Sequence, residues 1–117
     1  MTGPLDTWDK AAAFALTLSD TAYGAGEKSG VIVTTNGRAF MFPGREAATS
    51  FVVTIDLDTI EMLKETEPET YWQSKHYQNW PGILIRYDSP DPERVRHVIE
   101  MGYEYTRAKK PVRKRKT

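Results

Sequence analysis

The stretch Val31-Ile32-Val33-Thr34-Thr35-Asn36-Gly37-Arg38-Ala39-Phe40-Met41-Phe42 decides the fold class. Val31 to Thr34 is β-branched throughout, which suits a pleated strand better than a helix. Asn36-Gly37 is the strongest short hairpin signal, because both residues accept the positive φ that a tight strand-to-strand turn requires. Arg38 to Phe42 then returns as a second strand. Downstream, Pro43-Gly44 turns the chain, a loop reaches about Thr49, and Ser50-Phe51-Val52-Val53-Thr54 reads as a third strand. Together these three predict an antiparallel meander.

Upstream of the hairpin, Asp6 or Thr7 caps a helix running to about Ser19. Trp8, Ala11, Ala12, Ala15 and Leu18 give it one apolar face, and the alanines 11 to 13 favour close packing on a sheet. The glycines of Tyr23-Gly24-Ala25-Gly26 are expected to break the pattern. After the third strand, Asp56 or Asp58 opens a second helix. Asp58 with Glu61 resembles a capping box, Leu57, Ile60 and Leu63 (or Lys64) face inward, and Glu67-Pro68 ends the helix. Tyr71-Trp72-Gln73 is a short strand, Lys75 to Gly82 an aromatic-rich loop, and Ile83-Leu84-Ile85-Arg86-Tyr87 a strand.

Asp91 caps the last helix with Pro92 at its first position, where a missing N–H costs nothing. Its buried stripe is Val95, Val98, Ile99, Gly102 and either Tyr105 or Thr106. The order α-β-β-β-α-β-β-α predicts an α+β domain, with helices packed on an antiparallel sheet. Residues 1–108 form the domain and 109–117 a basic, flexible tail.

Composition narrows the function. The 117 residues suffice for one core. Without cysteine, disulfides, cysteine zinc sites, iron–sulfur clusters and thiol nucleophiles are excluded. The opening Met1 to Asp6 lacks the basic-then-apolar pattern of a signal peptide, and no apolar run approaches the roughly 20 residues that span a bilayer. The expected location is the cytoplasm, away from membranes. The formal net charge of +0 conceals an asymmetry. Arg107, Lys109, Lys110, Arg113, Lys114, Arg115 and Lys116 make the end basic, whereas residues 1 to 104 hold nine basic against sixteen acidic side chains, a net of −7. Such a tail suits phosphate, an anionic membrane surface or an acidic partner. It equally suits a solvated end that keeps the domain soluble or folds back on the acidic body.

The downstream half resembles the MmcQ/YjbR family. The resemblance rests on Glu67-Pro68-Glu69-Thr70-Tyr71-Trp72, Lys75-His76-Tyr77, Trp80-Pro81-Gly82-Ile83-Leu84-Ile85-Arg86, and the helix with Tyr103-Glu104-Tyr105 and Ala108-Lys109-Lys110. Upstream, Asn36-Gly37-Arg38-Ala39-Phe40 is similar to the family's hairpin, and Asp56-Leu57-Asp58 to its lead-in to helix two. The likeness runs from about Leu16 to Lys110. Two departures stand out. Leu18-Ser19-Asp20-Thr21 replaces a frequent Leu-Pro-Gly, and the basic tail is longer than the family's pattern. The resemblance implies a fold like secretion chaperones and frataxin-like domains, described as a "double wing" DNA-binding module.

No enzymatic arrangement is apparent. There is no nucleophile elbow and no phosphate loop. Of the two histidines, His97 lies off the apolar stripe, where solvent exposure is expected. His76, between Lys75 and Tyr77 and near Trp72 and Trp80, has two readings. In one, aromatics stack on a ring or base while Lys75 and His76 meet an anion; in the other, His76 braces the loop through a backbone carbonyl. The acids of the helix-two region (Asp56, Asp58, Glu61, Glu65, Glu67, Glu69) are explained by capping, the helix dipole and a solvated face, so neither metal nor cofactor is expected. The leading expectation is a non-enzymatic DNA-binding domain using Arg38, Lys75, His76, Tyr77, Trp80, Arg107, Lys109, Lys110, Arg113, Lys114, Arg115 and Lys116. The alternative is a protein-interaction or small-ligand module with no nucleic-acid role.

Overall fold

The computed structural model describes residues 7–26, 30–44, 50–75, 78–87 and 91–108. Six strands form one antiparallel sheet: β1 (Thr21–Gly26), β2 (Gly30–Thr35), β3 (Arg38–Pro43), β4 (Ser50–Thr54), β5 (Tyr71–Trp72) and β6 (Gly82–Arg86), in the spatial order β1-β2-β3-β4-β6-β5. Three helices accompany it: α1 (Trp8–Ala15), α2 (Leu57–Thr66) and α3 (Pro92–Arg107). The α+β architecture follows the expectation, with one strand more.

That extra strand is β1. The Tyr23-Gly24-Ala25-Gly26 segment does not break the chain into a loop; it pairs along its length with β2, from Thr21 opposite Thr35 to Gly26 opposite Gly30. Glycine weakens a strand by leaving nothing to pack. Here the missing Cβ has a use, because one on Gly24 would sit 3.1 Å from Thr34 Cγ2.

The Asn36-Gly37 turn forms as read, with φ of 57° and 78°. Just beyond it the β2–β3 register slips, since Thr34 faces Ala39 but Val33 faces Met41. Phe40 is therefore the extra residue of a bulge, and both Phe40 and its neighbour Met41 are fully buried, breaking the strict alternation of a strand.

The helices end where side chains satisfy their free backbone groups. Thr7 caps α1, its Oγ1 accepting from the Lys10 N–H at 3.2 Å. The helix stops at Ala15, short of Ser19, where the Thr21 hydroxyl reaches the carbonyls of Ala15 and Leu18 at 3.2 and 2.8 Å. Asp56, not Asp58, caps α2, its Oδ2 accepting from Thr59 N–H at 3.0 Å. Asp58 is exposed in the first turn, so the capping box with Glu61 is not the device used. Leu57 also departs from expectation, being 45% exposed, while Ile55, Ile60 and Leu63 are fully buried. With the cap two residues earlier than Asp58, Leu57 becomes the first helical residue and points outward. Asp91 caps α3 ahead of Pro92. Thr106 belongs to its buried stripe, as does Tyr103, with Tyr105 half-buried.

One sheet face carries the main core. Val33, Met41, Val53 and Ile83 lie opposite one another across four strands, as do Phe51, Ile85 and Tyr71. These residues cluster with Ala11, Ala12 and Ala15 of α1, Ile60 and Leu63 of α2, and Val95, Val98 and Ile99 of α3. α3 approaches the sheet most closely at Gly102, where a Cβ would stand 2.6 Å from the Thr54 carbonyl oxygen. Thr54 and Thr106 then share a hydroxyl hydrogen bond of 2.7 Å.

Candidate functional site

The opposite sheet face has its own apolar ladder: Phe42 faces Val52, Val52 faces Leu84, and Leu84 faces Trp72. Val52 and Leu84 are buried (0% and 3% exposed), yet neither belongs to the cluster containing the helices. Burying such a pair is worth about 1.5–3 kcal/mol per side chain, so this second cluster stabilises the sheet as well as exposing rings at its border.

Trp80 covers part of it. Its ring lies over Gly82, so that a Cβ there would fall 2.5 Å from Trp80 Cε3 and 3.3 Å from Val52 Cγ1. It also meets Phe42 edge-on at 6.3 Å between centroids. This ring nevertheless stays 41% exposed. At the far side of the ladder, the Arg86 guanidinium stacks 5.1 Å above the Trp72 ring, a cation–π contact that leaves the charge at the surface.

The loop carrying Trp80 is held by its backbone. Gln73 Nε2 donates to the carbonyls of Trp80 and Gly82 at 3.1 and 2.8 Å, and its Oε1 accepts from Lys64 Nζ at 3.0 Å. Gly82 N–H donates to the Trp80 carbonyl at 2.7 Å, and Asn79 takes a positive φ of 67° to make the turn. Gln73 thus braces the loop, a role for which the sequence suggested His76. His76 and Tyr77 lie outside the described residues. Lys75 is exposed beside them.

Strand direction places a second group of cations at the same end of the sheet. The β2–β3 turn, the start of β6 and the end of β4 share that end. The turn does not project freely: Asn36 Nδ2 donates to the Arg107 carbonyl at 3.1 Å, tying the hairpin tip to the last turn of α3. Arg107 in turn donates to Tyr103 Oη at 2.8 Å and lies over its ring at 5.5 Å, while Tyr103 Oη donates to the Ser19 carbonyl. Arg38 opens β3 from this turn and is half-buried. The turn that leads into Arg38 is thus tied to the backbone of Arg107, and the chain leads from α3 into Lys109, Lys110, Arg113, Lys114, Arg115 and Lys116, which lie outside the described residues. Residues missing from the expected set are Phe42, Trp72, Gln73 and Arg86. Arg86 was legible, since period two puts it on the face of Leu84.

Two other titratable groups are structural. Burial, with the Glu67 carboxylate second, pushes the Tyr71 phenol far above its ordinary value of 10.0; burial and then Asp9 do the same to Tyr87. His97 is exposed, as expected. Among the described residues no three His, Asp or Glu side chains are grouped so as to hold a metal ion, and no helix is long and apolar enough to cross a membrane.

No family model and no curated protein matches the sequence. A solved structure does match in shape: a Deinococcus radiodurans protein, DR2400, of the DUF419 domain type. The TM-score is 0.70, with 13% identity over 88% of this chain and 80% of the other. At that identity the likeness concerns architecture alone, and an architecture does not carry an activity with it. The six-stranded antiparallel sheet with three helices is thus the DUF419 fold, which is the MmcQ/YjbR fold that the sequence resembles.

Proposed function

We propose that this is a non-enzymatic MmcQ/YjbR-like domain that binds DNA, with single strands preferred over duplex. The observation that carries the reading is the Trp80 ring, held by a braced loop on the helix-free face and left 41% exposed. Any unpaired base can stack on such a ring, for about 1–3 kcal/mol per base. Trp72 with Arg86 offers a second ring on the same face, three strand spacings from Phe42, or roughly 14 Å at the usual separation. Lys75, Arg38 and Arg107 supply phosphate contacts toward the same sheet end, and the basic residues that follow α3 in the sequence add further positive charge. A tethered hairpin is poorly suited to enter a duplex groove as a wing, and an acidic body opposes a long duplex; a flexible single strand avoids both objections.

Fluorescence anisotropy with labelled oligothymidylate and duplex DNA across a salt series tests this. The comparison takes the full chain, a chain ending at Lys110, and Trp80→Ala. Expected results are tighter binding to the single strand, a loss on Trp80→Ala, and a shallower salt dependence without Arg113, Lys114, Arg115 and Lys116. Counterion release sets the last expectation at about 0.7 in slope for each phosphate that the shortened chain leaves unneutralised. Failure of every protein to bind either DNA at low salt would overturn the proposal.

A further inference from the structure

The two borders of the sheet are unlike each other. At one, β5 is only two residues long, next to α2. At the other, β1 runs six residues, Thr21–Gly26, and among the described residues no further strand meets its outer side. Alternate N–H and C=O groups of such a strand point away from the sheet and are ready to pair. Natural edge strands usually carry a lysine, a proline, an inward charge or a covering segment that prevents pairing. Thr-Ala-Tyr-Gly-Ala-Gly has no charge and no proline, and Ala22 and Gly24 keep the face opposite the helices low at this border.

The side chains beside that border are suited to a partner of the same kind. Tyr23 and Val31 are 54% and 51% exposed, among the largest apolar exposures of the domain. Tyr23 faces Val33, so it stands on the helix-bearing side. There Trp8 and Asp9 of α1 join Tyr23, Gly24 and Val31 around a shallow hollow. A projecting aromatic and a hollow on the same short strand are self-complementary about a two-fold axis, as an isologous interface requires. Antiparallel pairing of β1 with β1 of a second copy would bring each Tyr23 toward the hollow of the other, with its hydroxyl toward Asp9. A neutral strand also offers a charged peptide nothing to select it by.

We infer that β1 is a homodimerisation strand, by which two copies of this chain join their sheets into one continuous twelve-stranded sheet. The inference does not depend on DNA binding, because the Trp80 face and the β1 border lie on different strands. Two measurements test it on the full chain without DNA: sedimentation equilibrium over a wide concentration range, and hydrogen exchange of residues 21–26. Expected are a monomer–dimer equilibrium and β1 amides whose protection grows with protein concentration. Tyr23→Lys places a charge from each copy in the interface and should weaken dimerisation at least about tenfold. Ala13→Lys, on the exposed side of α1, should not. Circular dichroism and thermal midpoint establish that both variants are folded; should Tyr23→Lys fail to fold, Ala25→Lys takes its place. A wild-type monomer at the highest concentration would overturn the inference. So would a dimer that tolerates the edge lysine, or one whose β1 protection is independent of concentration.

Discussion

Replacing Gly82 by alanine puts a methyl group where the Trp80 ring now lies, 2.5 Å from Cε3. Nothing in the backbone forbids the change, as Gly82 lies in a regular strand opposite Thr54. The ring, at the end of a movable side chain, must swing away. With 41% exposure, Trp80 has more than half its surface covered. A tryptophan of about 150–250 Å² burial at about 25 cal/mol/Å² therefore loses on the order of 2 kcal/mol. Separating the ring from its edge-on neighbour Phe42 adds about 1 kcal/mol, and exchanging glycine for alanine in a strand returns about 0.5–1 kcal/mol. The net is about 2 kcal/mol, or near 8 °C in Tm at about 4 °C per kcal/mol for a domain of this size. Urea denaturation and thermal melting read the stability; tryptophan emission, shifted to longer wavelength, reads the ring. Single-strand affinity should fall together with Trp80→Ala, since both remove the platform. A Gly82→Ala protein with wild-type emission, stability and binding would refute the placement of Trp80 on this face.

Gly102→Ala should cost more than helix propensity gains. The new methyl meets the Thr54 backbone carbonyl at 2.6 Å as well as Val53, and a backbone atom yields less readily than a ring. A loss of about 1–3 kcal/mol is expected in urea denaturation, and a gain would contradict the close approach of α3. Arg94 Nε and Glu67 Oε2 are paired at 2.9 Å with 29% and 27% side-chain exposure. A double-mutant cycle should give about 0.5–1 kcal/mol of coupling that shrinks as salt is added; coupling indifferent to salt would argue against an ion pair there. The raised phenols of Tyr71 and Tyr87 set the alkaline limit. Their folded forms hold protons that the unfolded chain loses above about pH 10, so stability is intact below that value and declines above it. Phenolate absorbance should show these two ionising together with unfolding. Tyr87→Phe, which also removes a hydroxyl that has no partner among the described residues, should blunt the decline at no cost in stability near neutrality; an unchanged alkaline transition in Tyr71→Phe and Tyr87→Phe would contradict the assignment.

Several features could be read directly from the chain because their causes are local. Asn36-Gly37 supplies its own turn, Asp91-Pro92 its own helix start, and the period of Val95, Val98, Ile99, Gly102 and Thr106 its own buried stripe. Composition likewise excluded thiol chemistry. The aromatic content of the Trp80 loop was visible, though not the side of the sheet on which its ring would lie.

What required the tertiary structure was decided by neighbours distant in sequence. Thr21–Gly26 has no β-branched alternation and, apart from Tyr23, no large side chain, and becomes a strand only because β2 offers it a complete set of hydrogen-bonding partners. Phe40 and Met41 are both buried because a bulge shifts β3 against β2. Leu57 turns outward because Asp56 takes the cap two residues earlier than the alternative at Asp58 would place it, which makes Leu57 the first helical residue. Among the described residues one face carries no helix because α1, α2 and α3 all pack on the other, which leaves Phe42, Val52, Leu84 and Trp72 to pair across the strands there. Local sequence sets which dihedrals and caps are favourable; the pairing of strands and the choice of face are cooperative, and depend on which distant surfaces are available to bury.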